Sequence, residues 1–172
     1  MLLSVALAAT LALCQPYYDD KLALYGWRSC DGRVAIAPRY LIAEPFGKGG
    51  MAAVVDQSGW HYINRQGQFV IRPVIFDNGP DPFSDGLARY QKGGKYGFFN
   101  ASGAVVIPAQ FEFAYPFVHG KAKVGEGCRL MSDGEHTQVE CRTWRHIKKP
   151  LLRPLKAPAR PATASPAPAR PA

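Results

Sequence analysis

The chain has 172 residues, 47% of them hydrophobic and 20% charged, with 17 Gly and 15 Pro. That is enough apolar material for one domain with a core, and the composition excludes a coiled coil, a collagen-like fibre and a polytopic membrane protein. The formal net charge is +8, but it is uneven: residues 1–141 hold 13 Lys+Arg against 13 Asp+Glu, and the last 31 residues hold 8 Lys+Arg and no acid. The charge argument therefore concerns the C-terminal segment, not the folded body.

In chain order, the first element is an apolar run, LLSVALAATLAL, at residues 2–13. It is too short for a bilayer span, which needs about 20 residues, and it suits the apolar core of a secretory signal peptide over residues 1–14. No Lys or Arg precedes it. Cleavage could fall after Ala12 or Cys14. The stretch LALC also resembles a lipobox, which makes Cys14 a lipidation candidate, although Leu13 stands where that motif takes a small residue.

Between the two ends the sequence repeats. Leading aromatics fall at Tyr25, Trp60 and Tyr96, and turn glycines at Gly32, Gly67 and Gly103. Prolines follow at Pro38, Pro73 and Pro108, Pro-Phe corners at Phe46, Phe83 and Phe117, then Gly50, Gly86 and Gly120, then Ala52, Ala88 and Ala122. Six markers in one order, with the prolines 35 and 35 apart, mark a tandem array whose units each need a neighbour to bury their apolar face.

One unit can be read from the third copy. Phe98-Phe99-Asn100 and Ala104-Val105-Val106-Ile107 are β-prone runs around an Ala-Ser-Gly turn, which predicts a hairpin. Pro108 should end the ladder, since it has no N–H to donate. Phe111-Glu112-Phe113 alternates, which predicts both Phe on one face, and Lys121-Ala122-Lys123-Val124 predicts a half-exposed strand. The leading aromatics, the corner Phe and the Ala positions are expected to form the shared core, with Phe99, Ile107, Phe117 and Val124 inside it. Residues 125–146 read as a degenerate fourth hairpin that caps the array.

This pattern resembles the WG (KWG) repeat family of bacterial proteins. The residues that carry the resemblance are GKYGFFNASGAVVIPAQFEFAYPFVHGKAKV and WHYINRQGQFVIRPVIFDNGPDPFSDGLARY, with His61 in place of the glycine at Gly26 and Gly97. It covers residues 25–124, as units 25–55, 60–90 and 96–124, within a domain over 15–146. It implies no particular chemistry. The expected fold is all-β: tandem repeats of antiparallel β-hairpin units in an open, twisted array, since three and a half units are few for a closed propeller.

Cys128 and Cys141 flank the last hairpin and form a disulfide candidate in an exported protein. The rival for them is a metal site with His136 and His146, whose spacing is not a standard zinc pattern. Cys30 reads as a small turn residue. Asp77, Asp81 and Asp85 lie in a Gly/Pro-rich loop without calcium-loop spacing and read as solvated. No G-x-S-x-G, P-loop or H-E-x-x-H occurs. The expectation is a non-enzyme with no catalytic residue, cofactor or metal ligand.

Residues 147–172 are Pro, Ala, Lys and Arg with little else, which predicts a disordered basic tail. It can act as a spacer or as a tether to anionic envelope surfaces. With no aromatics there, base stacking has nothing to work with, which argues against nucleic acid. The function expected is an exported, periplasmic or extracellular, binding module whose partner is a protein or envelope polymer. An outer-membrane lipoprotein scaffold anchored at Cys14 is one alternative, and a cytoplasmic nucleic-acid-associated protein using the tail is another.

Overall fold

The structure, a computed structural model, describes residues 13–132 and 137–151. The proposed signal segment up to residue 12, the tip of the last hairpin and the tail from 152 lie outside the described residues.

The described chain is all β, without a helix. The first sheet has β1 (Leu13–Asp19), β2 (Leu24–Ser29) and β3 (Val34–Tyr40), in that order. The second orders β4 (Ile42–Ala43), β5 (Met51–Asp56), β6 (Gly59–Asn64) and β7 (Phe69–Ile71). A small hairpin of β8 (Ile75–Phe76) and β9 (Gly79–Pro80) precedes the third sheet of β10 (Leu87–Lys92), β11 (Lys95–Asn100) and β12 (Val105–Phe111). The last sheet has β13 (Phe113–Ala114), β14 (Lys121–Ser132) and β15 (Thr137–Lys148). Every pairing is antiparallel.

The sequence repeat and the sheet are out of phase. The strand with the leading aromatic pairs backwards, with the Ala-bearing strand of the preceding repeat: Val55 faces Trp60 and Gln91 faces Tyr96, and in the first unit Tyr25 faces Tyr18 of β1. Each repeat thus supplies two strands to one sheet and the first long strand to the next, so consecutive sheets are stitched by the chain itself.

The turn within each hairpin is the same in all three repeats. Gly32, Gly67 and Gly103 have φ of 88, 72 and 84, and their N–H groups donate to Ser29, Asn64 and Asn100. Left-handed φ is the reason these positions are glycine. In the second and third copies the Asn side chain closes the turn as well, accepting from the amides of Gln66 and Gln68 and of Ser102 and Ala104.

Three apolar clusters lie between successive sheets. Trp27, Ile36, Tyr40, Ala52, Val54 and Ile63 join the first to the second. Met51, Ile71, Ala88, Tyr90 and Phe99 join the second to the third. Phe98, Phe117, Ala122 and Val124 belong to the cluster that joins the third to the last. Each cluster bridges neighbours only, which gives the open array. Phe99, Ile107, Phe117 and Val124 are buried as expected.

The leading aromatics depart from expectation. Tyr25, Trp60 and Tyr96 are only half-buried. The core position is two residues later, where Trp27, Tyr62 and Phe98 meet the corner aromatics Phe46, Phe83 and Phe117 at ring separations of 5.3, 6.2 and 4.7 Å. Alternation is the reason: residue i+2 shares a face with residue i but sits deeper in the sheet.

Proline does not end the ladder either. β3 and β12 run through Pro38 and Pro108, each at a shift of register on an edge strand, where no N–H is required. Phe111 and Phe113, expected on one face, are divided between β12 and β13. Phe111 enters the core, and Phe113 stays half-buried.

Gly26 and Gly97 face these bulges. A Cβ on Gly26 would lie 2.5 Å from the Ile36 oxygen and 2.8 Å from the Pro38 nitrogen. A Cβ on Gly97 would lie 2.6 Å from the Ile107 oxygen and 2.7 Å from the Ala109 nitrogen. The third strand crosses directly over the glycine. Where His61 replaces it, the third strand β7 stops at Ile71. The buried His61 ring instead packs near Tyr40 and Phe69, at 6.2 and 5.6 Å.

Asp81 corrects the reading of a solvated loop. It is 1% exposed and Arg89 is 6% exposed. The guanidinium binds the carboxylate through two N–H groups at 2.9 and 2.7 Å and also donates to the Ala114 carbonyl at 2.8 Å. Two-point pairing, with each of the three guanidinium nitrogens donating, is how a charge becomes tolerable in a core. Asp85 caps a turn, accepting from the Gly120 amide at 2.7 Å. Asp77 lies with Asn78 at positive φ in the β8–β9 turn.

Candidate functional site

The last sheet keeps the repeat's plan and then departs from it. Gly120 and then Lys121, Ala122, Lys123 and Val124 of β14 follow the marker order of the earlier copies. Ala122 and Val124 face the core, and Lys121 and Lys123 face solvent. β15 pairs along its length with β14, and Gly125 faces Trp144. Trp144 thereby occupies the place of Tyr25, Trp60 and Tyr96. It is the leading aromatic of a fourth, incomplete unit, followed by Arg145 where the glycine would be. The Arg145 guanidinium instead lies 5.4 Å from the centre of the Phe111 ring, on the ground a third strand would cross.

On this sheet the aromatic side chains remain at the surface. Tyr96 meets Phe113 at 5.1 Å, Phe113 meets Tyr115 at 5.1 Å, and Tyr115 meets Trp144 at 5.7 Å. Tyr115 is 43% exposed. Tyr115 and Trp144 are inclined by only 35°, while Phe113 stands at 89° to Trp144 as an edge-on wall. The Lys123 ammonium lies 4.4 Å from the Trp144 ring centre and 5.9 Å from that of Tyr115. Such a contact is worth about 0.5–1 kcal/mol at an exposed site and more when water is displaced. Beside it, Lys121 faces Lys148 and Lys123 faces His146 across the strands. Among the described residues none of these lysines has a carboxylate partner.

The disulfide borders this face. Cys128 and Cys141 are opposite each other on β14 and β15 and are joined, with Cα atoms 3.9 Å apart. The bond packs against Gly125, where any side chain would strike the two sulfurs. The Glu112 carboxylate accepts from the Cys128 amide at 2.8 Å and pairs with Lys95 at 3.1 Å. These two partners, the amide first, hold its carboxyl below the usual range. The face is thus pinned to the third sheet on one side and cross-linked on the other.

The remaining candidates from the sequence fall elsewhere. With both thiols oxidised, Cys128 and Cys141 are removed as metal ligands. His136 lies outside the described residues, and His146 is on the exposed face. Among the described residues no three His, Cys, Asp or Glu side chains gather as a metal group. Cys30 is disulfide-bonded, which corrects its reading as a plain turn residue. The backbone of Cys14 lies in β1, between the Leu13–Ser29 and Pro16–Trp27 pairs, and its side chain is outside the described residues. His119 takes positive φ in the turn before β14.

The sequence reading missed the aromatic face. Its signal was Trp144, which the longer hairpin of the fourth unit places 48 residues after Tyr96 rather than about 35. The period therefore did not reveal it.

No helix among the described residues is long and apolar enough to cross a membrane. No curated protein and no solved structure matches the chain. The family model described as WG containing repeat matches twice, at residues 60–96 and 96–127. Each match runs from one leading aromatic, through the Pro-Phe corner, to the strand that opens the next sheet. The chain thus carries two WG repeats, over residues 60–127, at the centre of its array.

Proposed function

We propose that the protein is an exported, non-catalytic binding module in which the WG repeats are the scaffold and the outer face of the last sheet is the recognition surface. One observation carries this reading. Phe113, Tyr115 and Trp144 form a contiguous run of rings at the surface of a cross-linked sheet, and the Lys123 ammonium rests against them without a carboxylate partner among the described residues. Aromatic anchors on a preorganised support bind at low entropic cost.

Export is supported by the apolar run at residues 2–13 and by the oxidised state of Cys30, Cys128 and Cys141. The non-catalytic reading is supported by the groups with shifted pKa. Asp31 lies in the β2–β3 turn, Asp56 and Tyr62 on the second sheet and Glu112 between β12 and β13, and each shift has a local structural cause. The basic tail adds a weaker, salt-sensitive attraction to anionic surfaces.

The test is retention of the purified, oxidised protein on washed cell envelopes. Trp144→Ala should lower it severalfold, and equal retention of the variant would overturn the assignment of the face. Intact mass of the protein from fractionated cells, with and without reductant, tests export. A reduced, Met1-containing species from the cytoplasm would overturn it.

A further inference from the structure

The repeats allow a comparison that singles out one side chain. Ala53, Arg89 and Lys123 hold the same place after the repeat glycine. Ala53 is buried and needs no partner, and Arg89 is buried on Asp81. Of these three, Lys123 is the cation left without a carboxylate partner among the described residues, and it rests on two aromatic rings. A positive charge held on an apolar platform is incomplete in a particular way. It lacks an anion that can approach from solvent while something flat and apolar covers the rings.

We propose that the face formed by Tyr115, Lys123 and Trp144 binds a carboxylate-bearing polysaccharide, an inference that rests on the binding-module reading above. The flat C–H face of a pyranose covers the rings of Tyr115 and Trp144, which are inclined by 35°, and displaces the Lys123 ammonium from above them. The uronate carboxylate meets the Lys123 ammonium, which water screens less once the rings are covered. The next carboxylate along the polymer meets Lys121 and Lys148, which face each other one step along the strands. Two features favour a glycan over single-stranded nucleic acid, which also combines rings with cations. Phe113 is perpendicular to Trp144, so the rings offer one platform rather than successive slots for bases. Disulfides also suit the exported location proposed above, where envelope glycans are available.

The test uses the full-length, oxidised protein and five probes: polygalacturonate, its methyl ester, poly-L-glutamate, an oligo-dT strand, and vesicles containing phosphatidylglycerol. The ester keeps the sugar face and loses the charge, and polyglutamate keeps the charge and loses the sugar face. Tryptophan fluorescence and co-sedimentation should show binding to polygalacturonate about tenfold tighter than to either control. Lys123→Gln and Trp144→Ala should each weaken it by a similar factor, with the Cys128–Cys141 bond and the melting temperature kept as the folding control.

Equal binding of the ester or of polyglutamate overturns the proposal, as does tighter binding of oligo-dT or vesicles. Unchanged affinity in both variants overturns it too, because the tail would then be the binding element. If envelopes retain the protein in a Trp144-dependent way while polygalacturonate does not bind, the ligand class fails and the binding module stands. If Trp144→Ala changes neither measurement, both fail.

Discussion

The second and third repeats begin alike and solve the same problem differently. In the third, Gly97 lets β12 cross over β11 and pair as far as Tyr96–Phe111. In the second, His61 fills the crossing point, and pairing stops at Tyr62–Ile71. The chain then leaves the sheet. Trp60 pairs with Val55 on one side only, and its indole N–H donates to the Asn78 carbonyl at 3.0 Å. The excursion returns through the Pro73–Tyr90 bridge and is locked by Asp81 on Arg89. One repeat is held by a backbone ladder, the other by a buried ion pair. The missing Cβ of glycine decides which of the two the unit can use.

That contrast can be broken from either side. The largest effect belongs to Asp81→Ala, which strands the Arg89 charge in the core and should destabilise the fold by about 4 kcal/mol, read by urea denaturation. The double variant Asp81→Leu with Arg89→Met removes both charges and should recover most of that loss. A double variant as unstable as the single one would show that Arg89 matters through its bond to the Ala114 carbonyl instead.

Next comes Gly97→Ala. Its methyl group would meet the backbone at Ile107 and Ala109, which cannot yield without breaking the bulge. A loss of about 3 kcal/mol is expected. The same single methyl at position 61 has room, because no third strand passes there. His61→Ala should therefore cost only about 1–2 kcal/mol, from the lost packing beside Tyr40 and Phe69. Equal costs at positions 61 and 97 would refute the idea that crossing over the glycine sets strand length.

How much of this was legible depends on which residues carry it. Hairpins, turns and the interior of the third unit follow from Gly103 and from the alternation of Lys121, Ala122, Lys123 and Val124, because local chemistry dictates them. The phase between repeat and sheet was not legible, because pairing of Trp60 with Val55 is a matter of which neighbour a strand meets. Pro108 misled for a physical reason. A missing N–H ends a ladder only where that N–H is needed, and on an edge-strand bulge it is not. Asp81 looked like any turn aspartate, since its partner Arg89 reads as a solvent-facing residue of an alternating strand. Of the candidate site, the cysteine pair was legible from its position around the hairpin. The aromatic face was not, because surface and core aromatics have the same composition.

The smallest expected effect lies on the hinge of the comparison, at Tyr62. It occupies the core place of Trp27 and Phe98 but carries a hydroxyl. Burial, with Glu44 and Asp81 nearby, pushes its pKa up to about 12 from the ordinary tyrosine value of 10.0. The folded state therefore resists ionising this phenol more than the unfolded chain does. By linkage, the stabilising difference is complete below pH 10.0 and is lost as pH rises toward 12. Absorbance at the phenolate band should show one tyrosine titrating later than the exposed ones, and Tyr62→Phe should remove that late step. It should also flatten the alkaline fall in stability between pH 10.0 and 12. Phe stands at the same place in the third repeat, so the substitution asks whether the second unit can adopt its neighbour's core. If Tyr62→Phe leaves the late step in place, the buried phenol is a different one, and the opening of the sheet beside His61 admits water to Tyr62.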